Sequence, residues 1–458
     1  REEAPFLLYK AYLELNLPSP QSFDDFSLWA PTALGDFNTI DTYMLDGKQV
    51  FTDLRNIKEI ENWSFLEEPL SAEQTNFLEF WNVLGKLYEK WRTDCISKGV
   101  TYAGLGARLA AEKVLSPDFT LEGKVYFVGL NTLTKAEEQI IYTLVNQDQA
   151  KAIWDVDDHY LKSRMQEAGL FLRRHQDELG PIEGKLDRID AAPPPVHLWQ
   201  TSTKVAQAKL AGSMLQDVND EESVGIVLAD ESLLIPMLHS LPEDFKVNVT
   251  LGYPMRGGVI DGLLDLLVSM AENASRQELY HANFNLFIGN PLIRPLLEQP
   301  EQWQDLSKEI TKRNIAFIRP NQWSHIKGKI AAWLTSLLQS TDYLSVSSLF
   351  SELSISIVTS QKPNTLEHSQ AVLFRDLLAK VQALSSRFGY QMEIRTWARY
   401  VRQQVNKSSV SFLGEPIEGA QVMGVLESRA LDFQHVIMVG MNEGVFPGKD
   451  SVRSFIPF

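Results

Sequence analysis

Apolar positions along this chain fall into three patterns. From residue 1 to about 120 they recur at helical spacing, most plainly in the amphipathic stretch from Ala72 to Trp91, with aromatic-rich turns such as SLWAPTALGDFNTID. The pattern then alternates. VYFVGL (Val125 to Leu130) predicts a strand, TKAEEQIIYTLV a helix with Thr134 as its N-cap, and KAIWDV a second strand. Three successive prolines in AAPPPVHLWQ can continue neither a helix nor a paired central strand, so they predict a domain boundary. From Val196 the order is strand VHLWQT, helix KVAQAKLAGSML, strand SVGIVLA, helix SLLIPMLHSL and strand KVNVTL. Strands apolar on both faces and separated by helices predict a parallel sheet covered on both sides.

From about Gly258 to Asn406 helical periodicity replaces the β signal, which returns at Gln421 in two runs, VMGVL and HVIMVG, joined by a charged turn. The predicted fold is therefore α/β in four parts. Residues 1–120 are mostly helical, 121–192 form a first α/β lobe, 193–257 with 408–458 form a second, and 258–407 are a helical insertion into that second lobe.

Composition narrows the function. A chain of 458 residues with 44% hydrophobic content predicts several folded domains. No apolar run approaches the roughly 20 residues of a membrane span, no charged-then-apolar leader follows Arg1, and Cys95 is the sole cysteine. These features predict a soluble, cytoplasmic protein with a buried, inert thiol. A start without Met and an end at SFIPF predict a piece of something longer. The net charge of −16 argues against a surface that binds nucleic acid everywhere and confines any DNA contact to a local basic groove.

Candidate chemistry is sparse. Pro117, Asp118, Glu122 and Lys124 spell PD followed by ExK, but carboxylates sharing one metal come from adjacent strands, which needs a longer turn than three residues. WDVDDHY, with Asp155, Asp157, Asp158 and His159, has metal-ligand chemistry, yet a solvated loop with a helix N-cap explains it more simply. The eight His residues form no HxH or HExxH pattern, and GxSxG and GxxxxGK[ST] do not occur. Binding is what remains. In RTWARYVRQQVNK, Arg395, Arg399 and Arg402 recur at helical spacing beside a separate stripe of Ile394, Trp397, Val401 and Val405, so the helix can lie on its apolar side and offer three guanidinium groups to phosphates. A solvated face is the plain alternative. Lys162, Arg164, Arg173 and Arg174 form a looser basic cluster that a solvated surface explains.

The stretch VMGVLESRALDFQHVIMVGMNEGVFP (Val422 to Pro447) resembles motif V of UvrD-type superfamily 1 helicases, where LMTxHxAKGLEF leads into an apolar strand and GxxEGxFP. Its LESRALDF, NEG and FP are closer still to AddB-like proteins, the helicase-like subunits of bacterial recombination nucleases, and to related proteins with an inactivated helicase region and a PD-(D/E)XK nuclease. The resemblance implies two RecA-like, P-loop NTPase-type parallel-sheet lobes with α-helical accessory insertions. It also implies DNA as a partner, a possible partner helicase or nuclease subunit, and Mg2+ for a downstream nuclease domain, with no cofactor in these residues. KVNVTLGYPM stands where motif IV belongs and VYFVGLNTLTKAEEQII where motif II belongs.

The departures shape the mechanism. A working motif II ends its strand in Asp–Glu to hold magnesium and activate water, whereas this strand ends in Gly129, Leu130 and Asn131. Glu137 and Glu138 come next, on the following helix, where a solvated face is expected. In motif V, Leu426 replaces the His, Arg429 the Lys and Ala430 the Gly, while Asp432 keeps the acid. By this resemblance Glu427, Ser428, Arg429 and Asp432 line a cleft between the lobes and carry no catalysis. The expectation is a helicase-like, ATPase-inactive DNA-binding region of a DNA repair nuclease, or alternatively a protein-interaction scaffold that binds no DNA.

Overall fold

A computed structural model of the chain describes residues 3–63, 72–182, 186–218, 223–273, 277–412, 419–429, 431–448 and 454–456, with the side chains of 55, 57–63, 72–78 and 217 left aside. Ala430 lies outside the described residues.

Helices α1 (Ala4–Leu13), α2 (Phe23–Thr42), α3 (Gly47–Trp63), α4 (Ala72–Ser97) and α5 (Ala103–Val114) open the chain. α2 starts where the Ser22 hydroxyl accepts the Asp25 N–H at 3.2 Å, with Asp24 and Asp25 in its first turn. The aromatic-rich turns expected at residues 27–41 lie inside this helix, with Pro31 in its interior. An interior proline costs about 3 kcal/mol, but Phe26, Ala30, Ala33, Phe37 and Ile40 share one buried face. Each buried large side chain is worth about 1.5–3 kcal/mol, so the helix persists. Asp41, wholly buried on α2, pins α4 and α5: Tyr88 donates to it at 2.8 Å, Tyr102 donates to its other oxygen, and Arg108 lies 3.4 Å away.

Next come β1 (Val125–Val128), α6 (Lys135–Asn146) and β2 (Ala150–Ile153), the strands pairing in parallel from Val125↔Ala150 to Val128↔Ile153. α6 carries the expected N-cap as a full capping box: Thr134 accepts the Glu137 N–H at 3.4 Å and Glu137 accepts the Thr134 N–H at 2.8 Å. α7 (Asp158–Lys162), α8 (Leu170–Leu179) and α9 (Arg188–Ala191) come after β2. Residues 193–201 then form no element, and the strand expected at VHLWQT is unpaired chain, exposed from Val196 to Gln200.

After α10 (Lys204–Met214) the chain alternates β3 (Val224–Leu228), α11 (Leu234–Leu238) and β4 (Val247–Val249), with the short β5 (Tyr253–Pro254) ahead of a helical block. That block holds α12 (Val259–Glu272), β6 (Leu279–Tyr280), α13 (His281–Gly289), α14 (Pro300–Lys312), β7 (Phe317–Ile318), α15 (Lys329–Gln339), α16 (Tyr343–Ser360), α17 (Leu366–Phe388) and α18 (Ile394–Asn406). β8 (Ser409–Val410) pairs antiparallel with β5, so the entry to the block and its exit are zipped together. β9 (Ala420–Gly424) and β10 (His435–Val439) complete a four-stranded, wholly parallel sheet of order β10–β3–β9–β4.

β3 is buried at all five positions, as a central strand of apolar residues should be. Because β9 and β10 flank it, the connection 425–434 must cross one face of the sheet. Phe433 of that connection lies on Gly225 of β3, where a Cβ would stand only 2.7 Å from its ring. The glycine in SVGIVLA is therefore a seat for an aromatic ring. On the other face α10 and α11 supply Ala208, Ala211, Leu234 and Met237 to the core.

The N-terminal helices and the helical block bury one continuous core, from Phe6 to Val405. Phe6 stacks on Phe388 at 5.5 Å, and Asp24 accepts the Glu393 N–H at 2.9 Å. The chain is thus a mainly helical α/β protein in which the parallel sheet and the helical body keep separate cores. No helix among the described residues is long and apolar enough to cross a membrane.

Candidate functional site

Ligands of α/β proteins gather at the carboxyl ends of parallel strands, so the two sheets define where to look. At the end of β1, Gly129 takes a left-handed φ of +70° and donates its N–H to Ile153 at 3.0 Å. The carbonyl of Asn131 is met by His175 Nε2 at 2.5 Å, and Tyr142 lies 2.6 Å from His175 Nδ1. His175 is buried and stacks on Trp154 at 4.5 Å with an interplanar angle of 11°. With Nε2 donating to the carbonyl, Nδ1 accepts from the tyrosine hydroxyl. Burial and the charge of Glu138 push the Tyr142 hydroxyl up to about 12, which keeps it a donor. The β1 loop is thus held by an imidazole.

Glu138 corrects the expectation of a solvated face. It is buried, 3.2 Å from Lys135 and 3.3 Å from Arg174, because α8 packs across α6 and carries Arg174 to it. Glu137 is exposed and serves the capping box. Glu138 is therefore a paired structural carboxylate.

At the carboxyl edge of the larger sheet, Asp230 follows β3. Burial raises its carboxyl, but Lys204 at 2.7 Å and Ser232 at 2.6 Å outweigh that and leave it below the usual carboxylate range. Gln207 of α10 accepts the Gly440 N–H at 3.2 Å and donates to Asn442 at 2.9 Å, fixing the loop after β10. Gly440 needs its φ of +88°, and a Cβ there would lie 2.8 Å from Asp230. Gly424 at the end of β9 faces Glu427 and Glu231, whose carboxyl oxygens lie 2.5 and 3.5 Å from where its Cβ would be. Asp230, Glu231 and Glu427 thus stand at this edge with Lys204. Ser428 bonds within its own turn, donating to Val425 at 2.9 Å. Glu427, Arg429 and Asp432 are exposed, and none makes an ion pair among the described residues.

The three arginines of α18 share one face, as their spacing requires. Arg395 meets Glu272 at 3.1 Å and Arg402 meets Asp265, so α12 supplies a facing acidic row that the sequence did not reveal. Arg399 makes no ion pair among the described residues, and its Nη1 is buried without a hydrogen-bond partner. The opposite side of α18 buries Trp397, Val401 and Val405, as their spacing predicts, whereas Ile394 is only partly buried.

Other candidates resolve into structure. Asp157 caps α7 by accepting the His159 N–H at 3.0 Å, and it also accepts the N–H groups of Arg188 and Ile189. Those backbone donors hold its carboxyl below the ordinary range. Asp118 and Glu122 are exposed, and Lys124 reaches Asp148 at 3.4 Å. Lys162, Arg164, Arg173 and Arg174 line a cleft of about 630 Å³. There Lys162 is paired with Asp187 and Asp190, and Arg173 spends its donors on the carbonyls of Tyr160, Ser163 and Gln166. Cys95 is buried, and burial pushes its thiol up to about 11, so it is a poor nucleophile. Among the described residues no group of three His, Cys, Asp or Glu side chains could hold a metal ion.

Sequence reasoning missed His175, Tyr142 and Trp154. One signal was present: in FLRRHQ, His175 falls three residues after Leu172 on the buried side of α8. No family model matches this chain, and no curated protein matches it.

Proposed function

We propose that this chain is the helicase-like, ATPase-inactive, DNA-binding region of a bacterial DNA repair and recombination nuclease, built on two RecA-like lobes with helical accessory insertions. One observation carries the inactive part. The loop after β1 presents Gly129, Leu130 and Asn131, and the Asn131 carbonyl is occupied by His175. The residues there do not fit a magnesium nucleotide, so no step of the reading passes through ATP. The motif V resemblance supports the helicase kinship and the nuclease context, and the arginine face of α18 supports contact with the DNA backbone.

A second reading, a scaffold for a partner helicase or nuclease subunit, is favoured by the pairing of Arg395 and Arg402 with acids on α12. One experiment separates them. Binding of labelled single-stranded and duplex DNA is titrated against salt, with the native chain and with Arg395→Glu/Arg399→Glu/Arg402→Glu. DNA binding that weakens steeply with salt and is lost in the triple variant supports the first reading. No binding at low salt sinks it in favour of the scaffold, and magnesium-dependent ATP turnover sinks both.

A further inference from the structure

β10 ends the four-stranded sheet, so its outer row of backbone groups pairs with no strand among the described residues. An apolar edge of this kind is a template for another strand. Val436 and Met438, on the face where Phe433 seats on Gly225, are 55% and 45% exposed, while Ile437 and Val439 join the core with Ala208 and Ala211 of α10.

The chain holds a segment that matches this edge. Residues 196–200, VHLWQ, form no element and pair with no strand, with Val196, Leu198 and Trp199 exposed by 76%, 93% and 66%. Such a concentration of large apolar side chains in open chain marks an interaction surface. The prolines at 193–195 offer no N–H and so would stop strand pairing at its beginning. At its other end the segment enters α10 through Thr203, whose hydroxyl accepts the Ala206 N–H at 3.2 Å. One turn on, Gln207 holds Gly440 and Asn442 just beyond β10. α10 therefore begins at the carboxyl edge of the sheet, where a helix that succeeds a parallel strand must begin.

We propose that residues 196–200 dock as a fifth parallel strand on the outer edge of β10. Strand, α10 and β3 then form a β–α–β crossover of the usual kind. With Val196 opposite His435 and Gln200 opposite Val439, the two segments have equal length. Leu198 falls beside Ile437 beneath α10, and Trp199 covers Met438 on the opposite face, ring against thioether. The docked strand hides the apolar edge that would otherwise invite a second chain.

The test uses the full chain. Amide exchange at 196–200 is expected to be slowed at least about tenfold relative to unstructured chain, and Leu198→Asp, which puts a charge beneath α10, is expected to remove that protection. In a Trp199→Cys/Met438→Cys variant, mild oxidation should form an intramolecular disulfide, since neighbouring strands bring Cα atoms within bridging range. Exchange at the unstructured rate with no cross-link overturns the proposal. A cross-link that joins two molecules overturns it in favour of a second copy at the edge.

Discussion

On the proposed DNA-binding reading, removing the acidic row that faces α18 should tighten DNA binding. The perturbation is Asp265→Asn with Glu272→Gln, which keeps side-chain volume and deletes two charges. Arg395 and Arg402 now lie against those carboxylates, with side chains 71% and 42% exposed, so each pair holds only about 0.2–1 kcal/mol. A phosphate that recruits these guanidinium groups must first displace the acids. Freeing both arginines should return roughly 0.4–2 kcal/mol to binding, about a twofold to thirtyfold gain in affinity. The fold should survive, because α18 is anchored by the buried Trp397, Val401 and Val405. Fluorescence anisotropy with a labelled single-stranded oligonucleotide reads the affinity. If three phosphates are contacted, the logarithm of the affinity should fall with the logarithm of salt at a slope of about −2. Unchanged or weaker binding by a folded double variant would refute the reasoning, since the arginines would then not be the phosphate contacts.

The remaining predictions concern buried groups. Asp41→Ala should lower stability by about 3–5 kcal/mol in urea denaturation of the helical core, because it strands Tyr88, Tyr102 and Arg108; a loss under about 1 kcal/mol would show the network to be idle. Burial and the bond to Asp41 raise the hydroxyls of Tyr88 and Tyr102 above their ordinary value of 10.0, so the folded state keeps protons the unfolded state releases. Their contribution is complete below about pH 10 and declines above it, and absorbance titration should find late-ionising tyrosines. His175→Ala should cost about 2–4 kcal/mol in the β1–β2 unit by deleting the ring stack and the bonds to Tyr142 and Asn131, and it should create no ATPase activity; turnover appearing in that variant would contradict the occupied-loop account. Asp36 accepts Ser454 Oγ at 2.5 Å and the Phe455 N–H at 2.8 Å, so Asp36→Ala should speed exchange of the Phe455 amide by about tenfold or more.

Local order was legible in the chain wherever short-range physics decides it. The Thr134 capping box, the apolar strand at Val224–Leu228, the strand–turn–strand around Glu427 and the apolar stripe of α18 are all written within a few residues of themselves. So was the lack of carboxylates at Asn131. Where proximity in sequence misled, tertiary contact was the reason. Residues 27–41 became helix around Pro31 because a buried face outweighed one missing hydrogen bond, and Glu138 was drawn inside because α8 brought Arg174 to it.

Only the tertiary structure decided which distant segments meet. Phe6 and Phe388 share a core, Gly225 lies under Phe433, and Asp265 and Glu272 answer the arginines of α18. Such pairings depend on how helices and strands stack, and periodicity records which face of an element is apolar without recording what covers it. The residue types at each site were therefore set by the sequence alone. Whether an arginine faces a carboxylate or a phosphate was settled by packing.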